Sequence, residues 1–235
     1  MADCKKYSRL PDAYQELEYI QSGSLNLYTG YIDTGLVGTD LYGCEIETCM
    51  KVTAITSANL YYLNGAYVAG QTTQIGLIRE DTEYVHSIIN MGFNSAPYSG
   101  SITLNDWHTI YTSDGIQKTD GVIIGNETYG TFNNLHYLLF ARSDTGVTLS
   151  PPFAMKYFWI KKNGQYIRNM IPAKRKSDNV VGMYDIATDV FYTSENQFAF
   201  IRGDDVDYWQ HSLRKYDGIN WIDATVKKWD GSQWQ

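Results

Sequence analysis

Cysteine is scarce in this chain. Its 235 residues include three cysteines, Cys4, Cys44 and Cys49, an odd number without regular spacing, which argues against a disulfide framework. Because Cys44 and Cys49 lie five positions apart, they would point to opposite faces of one strand. No C-x-x-C pair or His/Cys cluster indicates a zinc site. We therefore expect free thiols in a chain made in a reducing cytoplasm.

Positive charge and long apolar runs are also limited. Lys and Arg number 19 against 26 Asp and Glu, which gives a net charge of −7 and argues against a nucleic-acid partner. The one basic cluster, Lys174–Lys176, is expected in a solvated loop. No segment approaches the roughly 18 apolar residues that a membrane helix needs. The opening MADCKKYSRLPD lacks the apolar core of a secretory signal, so we expect neither membrane insertion nor secretion.

Catalytic signatures are missing as well. The sequence contains no G-x-S-x-G elbow and no H-E-x-x-H motif, which are the commonest marks of hydrolases and zinc proteases. Its four histidines, His86, His108, His136 and His211, are well separated. His108 and His136 lie in predicted strands, where a structural role is favoured over catalysis. We expect a protein that is not an enzyme.

What the chain does contain is a succession of strand patterns. It has 20 Tyr, 6 Trp and 43% hydrophobic residues, a composition that suits sheets with half-exposed faces. Strand patterns cover Glu45–Ile55, Gln74–Ile78, Tyr84–Ile89, Thr109–Thr112, Gly121–Ile124 and Leu135–Phe140. Short strands separated by turn residues predict an all-β sandwich. Only Asp12–Ile20 is expected to form a helical turn.

Two hairpins are predicted in the last third of the chain. Met155–Lys162 and Gln165–Ile171 flank Asn163-Gly164, the strongest short signal for a two-residue type I′ turn. Pro172 should end that pairing because it has no N–H to donate. Val180–Tyr184 and Val190–Thr193 then flank a second predicted reversal at Asp185–Asp189.

Three stretches together resemble one known family. They are Leu10–Ser22 running on to Tyr31–Gly35, Leu135–Arg142, and Phe153–Thr193. They resemble the concanavalin A-like (LamG/pentraxin-type) proteins, in a version common in phage structural proteins and in surface proteins of gut bacteria. A short insertion at Leu25–Thr29 departs from the family pattern. The resemblance implies an all-β, two-sheet antiparallel jelly-roll sandwich over residues 10–201, after a lead-in at residues 1–9.

An internal repeat marks the C-terminal segment, residues 202–235. Arg214–Trp221 is echoed by Lys227–Trp234 with a period of 13, and each unit predicts an Asp-Gly reversal between two short strands. The repeat resembles C-terminal segments of phage tail and virion proteins. Its aromatic residues would form a large apolar patch if uncovered, which is typical of an interaction surface. The predicted assembly contacts are Tyr208, Trp209, Tyr216, Trp221, Trp229 and Trp234.

Two kinds of ligand site are considered. A sugar site needs an exposed aromatic platform with polar side chains nearby, and two candidate loops offer one, although both could equally pack on the rim of the sandwich. Their residues are Tyr61, Tyr62, Asn64 and Tyr67 in the first loop and Asn94 and Tyr98 in the second. Calcium, which concanavalin A-like lectins often use, needs several oxygen ligands. Asp185 with Asp189, and the group Asp204, Asp205 and Asp207, do not match a fixed ligand spacing, so no metal site is assigned.

The leading functional hypothesis is a non-enzymatic structural protein of a bacteriophage virion, in the tail, fibre or capsid decoration. It would bind other virion proteins and its own copies as a homo-oligomer, and would present a carbohydrate-binding face to a cell-surface glycan for host attachment. One alternative is a surface lectin or adhesin domain of a gut bacterium. Another is a polysaccharide hydrolase or lyase, because Glu45 and Glu47 share one strand face, although solvated surface charges explain such a pair more simply.

Overall fold

The computed structural model describes residues 10–23, 30–53, 60–68, 72–79, 85–93, 99–125, 130–144, 146–149, 152–206, 213–216 and 221–224. By its contacts the chain divides into a large unit, Arg9–Val206, and a small one formed by Met1–Ser8 with Asp207–Gln235. Within the described ranges, no helix is long and apolar enough to cross a membrane.

Strands dominate the described residues. In chain order they are β1 (Tyr14–Glu16), β2 (Ile20–Gln21), β3 (Ile32–Val37), β4 (Cys44–Val52), β5 (Leu60–Ala66), β6 (Thr72–Arg79), β7 (Val85–Phe93), β8 (Ser99–Ile102), β9 (His108–Ser113), β10 (Ile116–Thr119), β11 (Val122–Gly125), β12 (His136–Leu139), β13 (Ala141–Ser143), β14 (Val147–Leu149), β15 (Phe153–Lys162), β16 (Gln165–Arg175), β17 (Val181–Asp185), β18 (Val190–Tyr192), β19 (Ile201–Arg202), β20 (Leu213–Tyr216) and β21 (Trp221–Ala224). A 3-10 helix at Gly38–Leu41 is the one helical element in these ranges. The all-β prediction is confirmed. The helical turn predicted at Asp12–Ile20 is wrong, because β1 and β2 begin there.

The strands of the large unit form two sheets. The larger has the order β11-β10-β9-β4-β15-β16-β17-β18, with β1, β2 and β19 paired beside it. The smaller has the order β14-β13-β5-β6-β7-β8, with β12 and β3 attached. The described pairs are antiparallel except β13 with β5. Two such sheets are compatible with a sandwich.

The core lies between the inner faces of the two sheets. Buried residues of both sheets belong to one cluster, which includes Ile46 and Met50 from β4 and Leu139 from β12. Aromatic pairs join the sheets: the rings of Tyr137 and Phe158 stack with centroids 6.0 Å apart. Because strand side chains alternate between faces, this core uses every second residue of β4, and every second residue of β15 on each side of a bulge at Lys156.

The two late hairpins form as predicted. Asn163 and Gly164 have φ of 52° and 77°, and Lys162 pairs with Gln165, as a type I′ turn requires. The second reversal depends on Asp185, whose Oδ1 accepts the backbone N–H of Ala187 at 3.0 Å. The buried carboxylate therefore stabilises the turn between β17 and β18.

Pro172 does not end β16, contrary to the prediction. The strand continues to Arg175, and Pro172 pairs with Met183 of β17. The carbonyl of Pro172 accepts the N–H of Leu17, so its ring nitrogen faces the same side, where the neighbour of β16 changes from β15 to β1. The N–H that Pro172 lacks is therefore not needed, because the ladder changes partner at this position. The basic cluster Lys174–Lys176 begins on β16 rather than in a loop.

Segments from both ends of the large unit extend the larger sheet beside β15 and β16. β1 pairs with β16, and the ring of Tyr14 lies 4.7 Å from that of Tyr184. At the other end, β19 pairs with β2 and Leu17 forms a bridge with Asp205. Contacts therefore hold residues 202–206 to the large unit, five residues beyond the boundary expected from sequence.

In the small unit, β20 and β21 form an antiparallel pair in which Tyr216 lies opposite Trp221. These two strands bracket the first predicted Asp-Gly reversal. The second repeat lies outside the described residues.

Candidate functional site

The outer face of the larger sheet carries a continuous band of aromatic and charged side chains. On β4, Glu45, Glu47 and Lys51 are half-buried and alternate with inward residues. Neighbouring strands place aromatic residues beside them. We call this band the outer stripe; its members are Trp107, Tyr111, Tyr157, Trp159, Tyr166, Glu45, Glu47, Lys51, Lys156 and Lys161. From Lys51 to Glu45 it extends about 20 Å along β4, at roughly 3.4 Å per residue.

Glu47 lies at the centre of the outer stripe. Strand register puts Tyr111 on one side of it and Trp159 on the other. Its Oε1 accepts hydrogen bonds from the hydroxyl of Tyr157 at 3.0 Å and from Nε1 of Trp159 at 3.1 Å. Glu45 accepts a similar bond from the Tyr111 hydroxyl at 3.0 Å. Each carboxylate is thus oriented by an aromatic donor from a neighbouring strand.

The tyrosine hydroxyls remain donors at neutral pH. Burial, as the largest cause, raises the pKa of Tyr157, and the negative charge of Glu47 raises it further. The pKa of Tyr111 is also raised, first by burial. Both phenols therefore keep their protons and continue to donate to the carboxylates.

One end of the outer stripe presents an exposed aromatic corner. The rings of Trp159 and Tyr166 meet edge to face, with centroids 5.9 Å apart. The Lys161 ammonium lies 4.9 Å from the Trp159 centroid and 4.6 Å from that of Tyr166. Tyr166 is 46% exposed, so its ring is available to a ligand.

The other end is a shallow cavity of about 510 Å³. It is lined by Glu18, Tyr19, Lys51, Trp107 and Lys156. The rings of Tyr19 and Trp107 lie 5.7 Å apart. The outer stripe thus has aromatic surface at both ends and oriented carboxylates between them, an arrangement that can stack on apolar ring faces and hydrogen-bond to hydroxyl groups.

The first sugar loop predicted from sequence is a strand of the smaller sheet. Tyr61 and Tyr62 lie in β5. Asn64 is fully buried, and its Oδ1 accepts the backbone N–H of Phe140 at 3.0 Å, so it belongs to the core. Tyr67 is exposed, and its ring lies 4.4 Å from the Arg142 guanidinium. Asn94 and Tyr98 lie outside the described residues.

The two histidine side chains that the structure describes, His108 and His136, contact groups of the protein itself. Nε2 of His108 accepts the backbone N–H of Thr103 at 3.0 Å, and Nδ1 lies 2.7 Å from Asp120 Oδ2. Nε2 also lies 3.1 Å from the carbonyl oxygen of Thr103, so both ring nitrogens of His108 are engaged by groups of the protein itself. His136 is exposed and pairs with Asp33. The side chain of His86 and the whole of His211 fall outside the described parts.

The acidic groups considered for calcium bind partners within the protein. The Asp185 carboxylate is fully buried, accepts the N–H of Asn169 at 2.7 Å, and lies 3.7 Å from Arg168 Nε. Asp205 forms ion pairs with Lys174 and Arg202. Across the ranges that the structure covers, no group of three or more His, Cys, Asp or Glu is placed to hold a metal ion. Asp207 lies outside these ranges.

Two of the six predicted assembly residues lie within the part of the chain that the structure describes. The backbones of Tyr216 and Trp221 pair in the small unit, while Tyr208, Trp209, Trp229 and Trp234 lie outside the described residues.

Sequence reasoning found two members of the outer stripe, Glu45 and Glu47, and missed the aromatic ones. The signal was present in β15, where Tyr157, Trp159 and Lys161 recur at every second position. What the sequence does not show is that β15 lies beside β4, because Tyr157 and Trp159 are 110 and 112 positions away from Glu47.

No model of a known protein family matches the chain, and no curated protein is similar to it in sequence. The outer stripe is therefore the basis for a proposal of the binding function.

Proposed function

We propose that this chain is a non-enzymatic structural protein of a bacteriophage virion, with a concanavalin A-like jelly-roll fold, that binds carbohydrate on the outer stripe. The observation that carries the binding function is the clustering of Trp107, Tyr111, Tyr157, Trp159 and Tyr166 on one sheet face with oriented carboxylates between them. The virion location, in the tail, fibre or capsid decoration, is supported by the sequence resemblances described above.

Carbohydrate suits this surface for two reasons. A sugar ring has an apolar C–H face that stacks on Trp and Tyr rings, and hydroxyl groups around its edge that need acceptors and donors. The outer stripe offers aromatic rings for stacking and carboxylate acceptors beside them. Nε1 of Trp159, for example, lies 3.1 Å from a carboxylate oxygen of Glu47. Its length of about 20 Å, from the strand rise, exceeds one sugar ring and favours an oligosaccharide.

A glycan array on the purified protein, with and without calcium, tests the binding function. We expect binding that does not need calcium, because the Asp185 and Asp205 carboxylates are engaged by protein donors. Trp159→Ala and Glu47→Gln should each abolish it. Tyr67→Ala tests the loop site predicted from sequence. If this variant loses glycan binding and Trp159→Ala keeps it, the site lies on the smaller sheet. The absence of binding to any glycan would leave only the architectural role.

A polysaccharide-active enzyme remains the second candidate because of one specific observation. Glu45 and Glu47 lie two positions apart on one face, so their carboxylates are about 7 Å apart by strand geometry, within the roughly 5–10 Å that glycosidases use. Glu47 Oε1, however, already accepts two bonds from Tyr157 and Trp159, which favours recognition. Release of new reducing ends from a polysaccharide by the wild type, lost in both Glu45→Gln and Glu47→Gln, would make the protein a hydrolase.

The segment Asp207–Gln235 is proposed to make the contacts with other virion proteins and with further copies of the chain. The large unit ends at Val206 by its own contacts, so truncation after Val206 is the natural test. We expect the truncated chain to keep its far-ultraviolet circular dichroism and to sediment as a monomer. Unchanged self-association would place the assembly contacts elsewhere. A bacterial surface lectin would show the same glycan binding without co-purifying with phage particles.

A further inference from the structure

Two lysines converge on one indole at the cavity end of the outer stripe. The Lys156 ammonium lies 4.3 Å from the Trp107 ring centroid and that of Lys51 lies 4.9 Å from it. Lys51 also lies 5.4 Å from the Tyr19 centroid. The register of β15 against β4 shifts between Met155 and Tyr157, so Lys156 is the extra residue of a bulge. Bulges commonly re-aim a side chain, and this one brings Lys156 to the same ring as Lys51.

In the part of the chain that the structure describes, neither Lys51 nor Lys156 forms an ion pair, and Glu18 is the one carboxylate that lines their cavity. Lys174, Arg175 and Arg202 form ion pairs with nearby carboxylates. Lys51 and Lys156 have aromatic rings as their described partners and form no ion pair with a described carboxylate. The cavity therefore holds two positive charges against the single carboxylate of Glu18. In a protein with a net charge of −7, such a pair indicates a site for an anion.

From this geometry we infer that the cavity binds the carboxylate of an acidic sugar, a uronic or sialic acid residue of a glycan that occupies the outer stripe. The inference rests on the proposed carbohydrate-binding function and names its ligand class. A charge-assisted hydrogen bond to a carboxylate is stronger than an exposed cation–π contact, so the ammonium groups would turn from the ring to the ligand. The rings of Trp107 and Tyr19 would then be free to stack on the sugar.

The size of the cavity agrees with this ligand. Its volume of about 510 Å³ lies within the roughly 300–1,000 Å³ typical of small-molecule sites. Glu18 on its wall supplies an acceptor for sugar hydroxyls. The cavity is also continuous with the outer stripe, because Lys51 lies on the same strand face as Glu47. A longer glycan can therefore place its acidic residue in the cavity and neutral residues over Tyr157 and Trp159.

Matched pairs of glycans test the inference by titration calorimetry. The probes are oligogalacturonate against its methyl ester, and sialyllactose against lactose, since each pair differs in a carboxylate. We expect the acidic member of at least one pair to bind about tenfold or more tightly than its neutral partner, and the preference to weaken as salt is raised. Lys51→Gln and Lys156→Gln should each lower the ratio of acidic to neutral affinity about tenfold. Lys176→Gln, an exposed lysine in the turn after β16, is the matched control and should change neither.

The outcomes separate this inference from the proposed function. If acidic and neutral probes bind equally, or the two lysine variants keep the acidic preference, the inference is overturned while glycan binding that depends on Trp159 still supports the proposed function. If no probe binds and the glycan array is also empty, both fail. Competition by free acetate at the concentration of the oligosaccharide would also overturn it, because the site would then recognise an anion without the sugar.

Discussion

The two faces of the same strands differ in what their side chains do. On β4, Ile46, Thr48 and Met50 are fully buried against the core. Their neighbours Glu45 and Glu47 lie half-buried on the other face and bond to aromatic donors. The period of two thus separates residues that maintain the sheet pair from residues that are available for a ligand.

Stability depends mainly on the buried face. Removing a fully buried side chain loses its contacts and leaves a cavity. Hydrogen bonds and ion pairs at a half-exposed surface contribute little to folding, because water competes for both partners. The outer stripe can therefore be altered for recognition with little loss of folding free energy.

The adjacent residues Phe158 and Trp159 should show the greatest difference in stability between the two faces. Phe158 is fully buried and stacks on Tyr137, so Phe158→Ala should lower the free energy of unfolding by about 3–5 kcal/mol. Trp159→Ala, one residue along, should cost about 1 kcal/mol and abolish glycan binding. Urea denaturation of both variants measures the difference. Equal losses would mean that the outer stripe is part of the core.

The buried thiol of Cys44 should make the stability of the core depend on pH in alkaline solution. Burial, as the largest cause, raises its pKa from 9.0 to about 11, against the lowering effect of Lys162. In the unfolded chain the thiol ionises from about pH 9, while in the folded protein it stays protonated. Its contribution is therefore fully present below pH 9 and is lost as pH rises to 11, at about 1.4 kcal/mol per pH unit.

The free energy of unfolding measured from pH 8 to pH 11 tests this. Cys44→Ala should be less stable at pH 8 but should lose stability less steeply above pH 9 than the wild type. Tyr157 and Cys49, whose pKa values are also raised by burial, titrate in both proteins and cancel in the difference. Parallel pH curves for the two proteins would show that Cys44 is not the group responsible.

The local features of this fold were predictable from sequence, and the arrangement of the outer stripe was not. The Asn163-Gly164 turn requires φ > 0 at two adjacent residues, and the dipeptide Asn-Gly is the one that meets this requirement most readily. The alternation of β4 likewise follows from residue type. By contrast, the position of Pro172 within β16 is possible only because the partner of that strand changes there, a fact that depends on the N-terminal segment far away in sequence.

The same reasoning explains the missed binding surface. Trp159 reaches Glu47 only because β15 and β4 pair in one particular register, and a slip of one residue would turn every side chain to the other face. The segment around Asn64, expected to be a loop, is a strand because its backbone pairs with β6 and β12, and these strands come from other parts of the sequence. Sequence patterns give the face on which a residue lies, while strand order gives its neighbours.

The smallest expected effect isolates a single hydrogen bond of the outer stripe. Tyr111→Phe keeps the ring, which lies 6.1 Å from that of Trp159, and removes only the hydroxyl that donates to Glu45. Because the bond lies at a half-exposed surface, we expect a loss of about 1 kcal/mol or less in the free energy of unfolding. Glycan affinity should fall severalfold, since Glu45 loses the donor that orients it. A loss of stability as large as that of Phe158→Ala would show that the two faces of the sheet are not energetically separate.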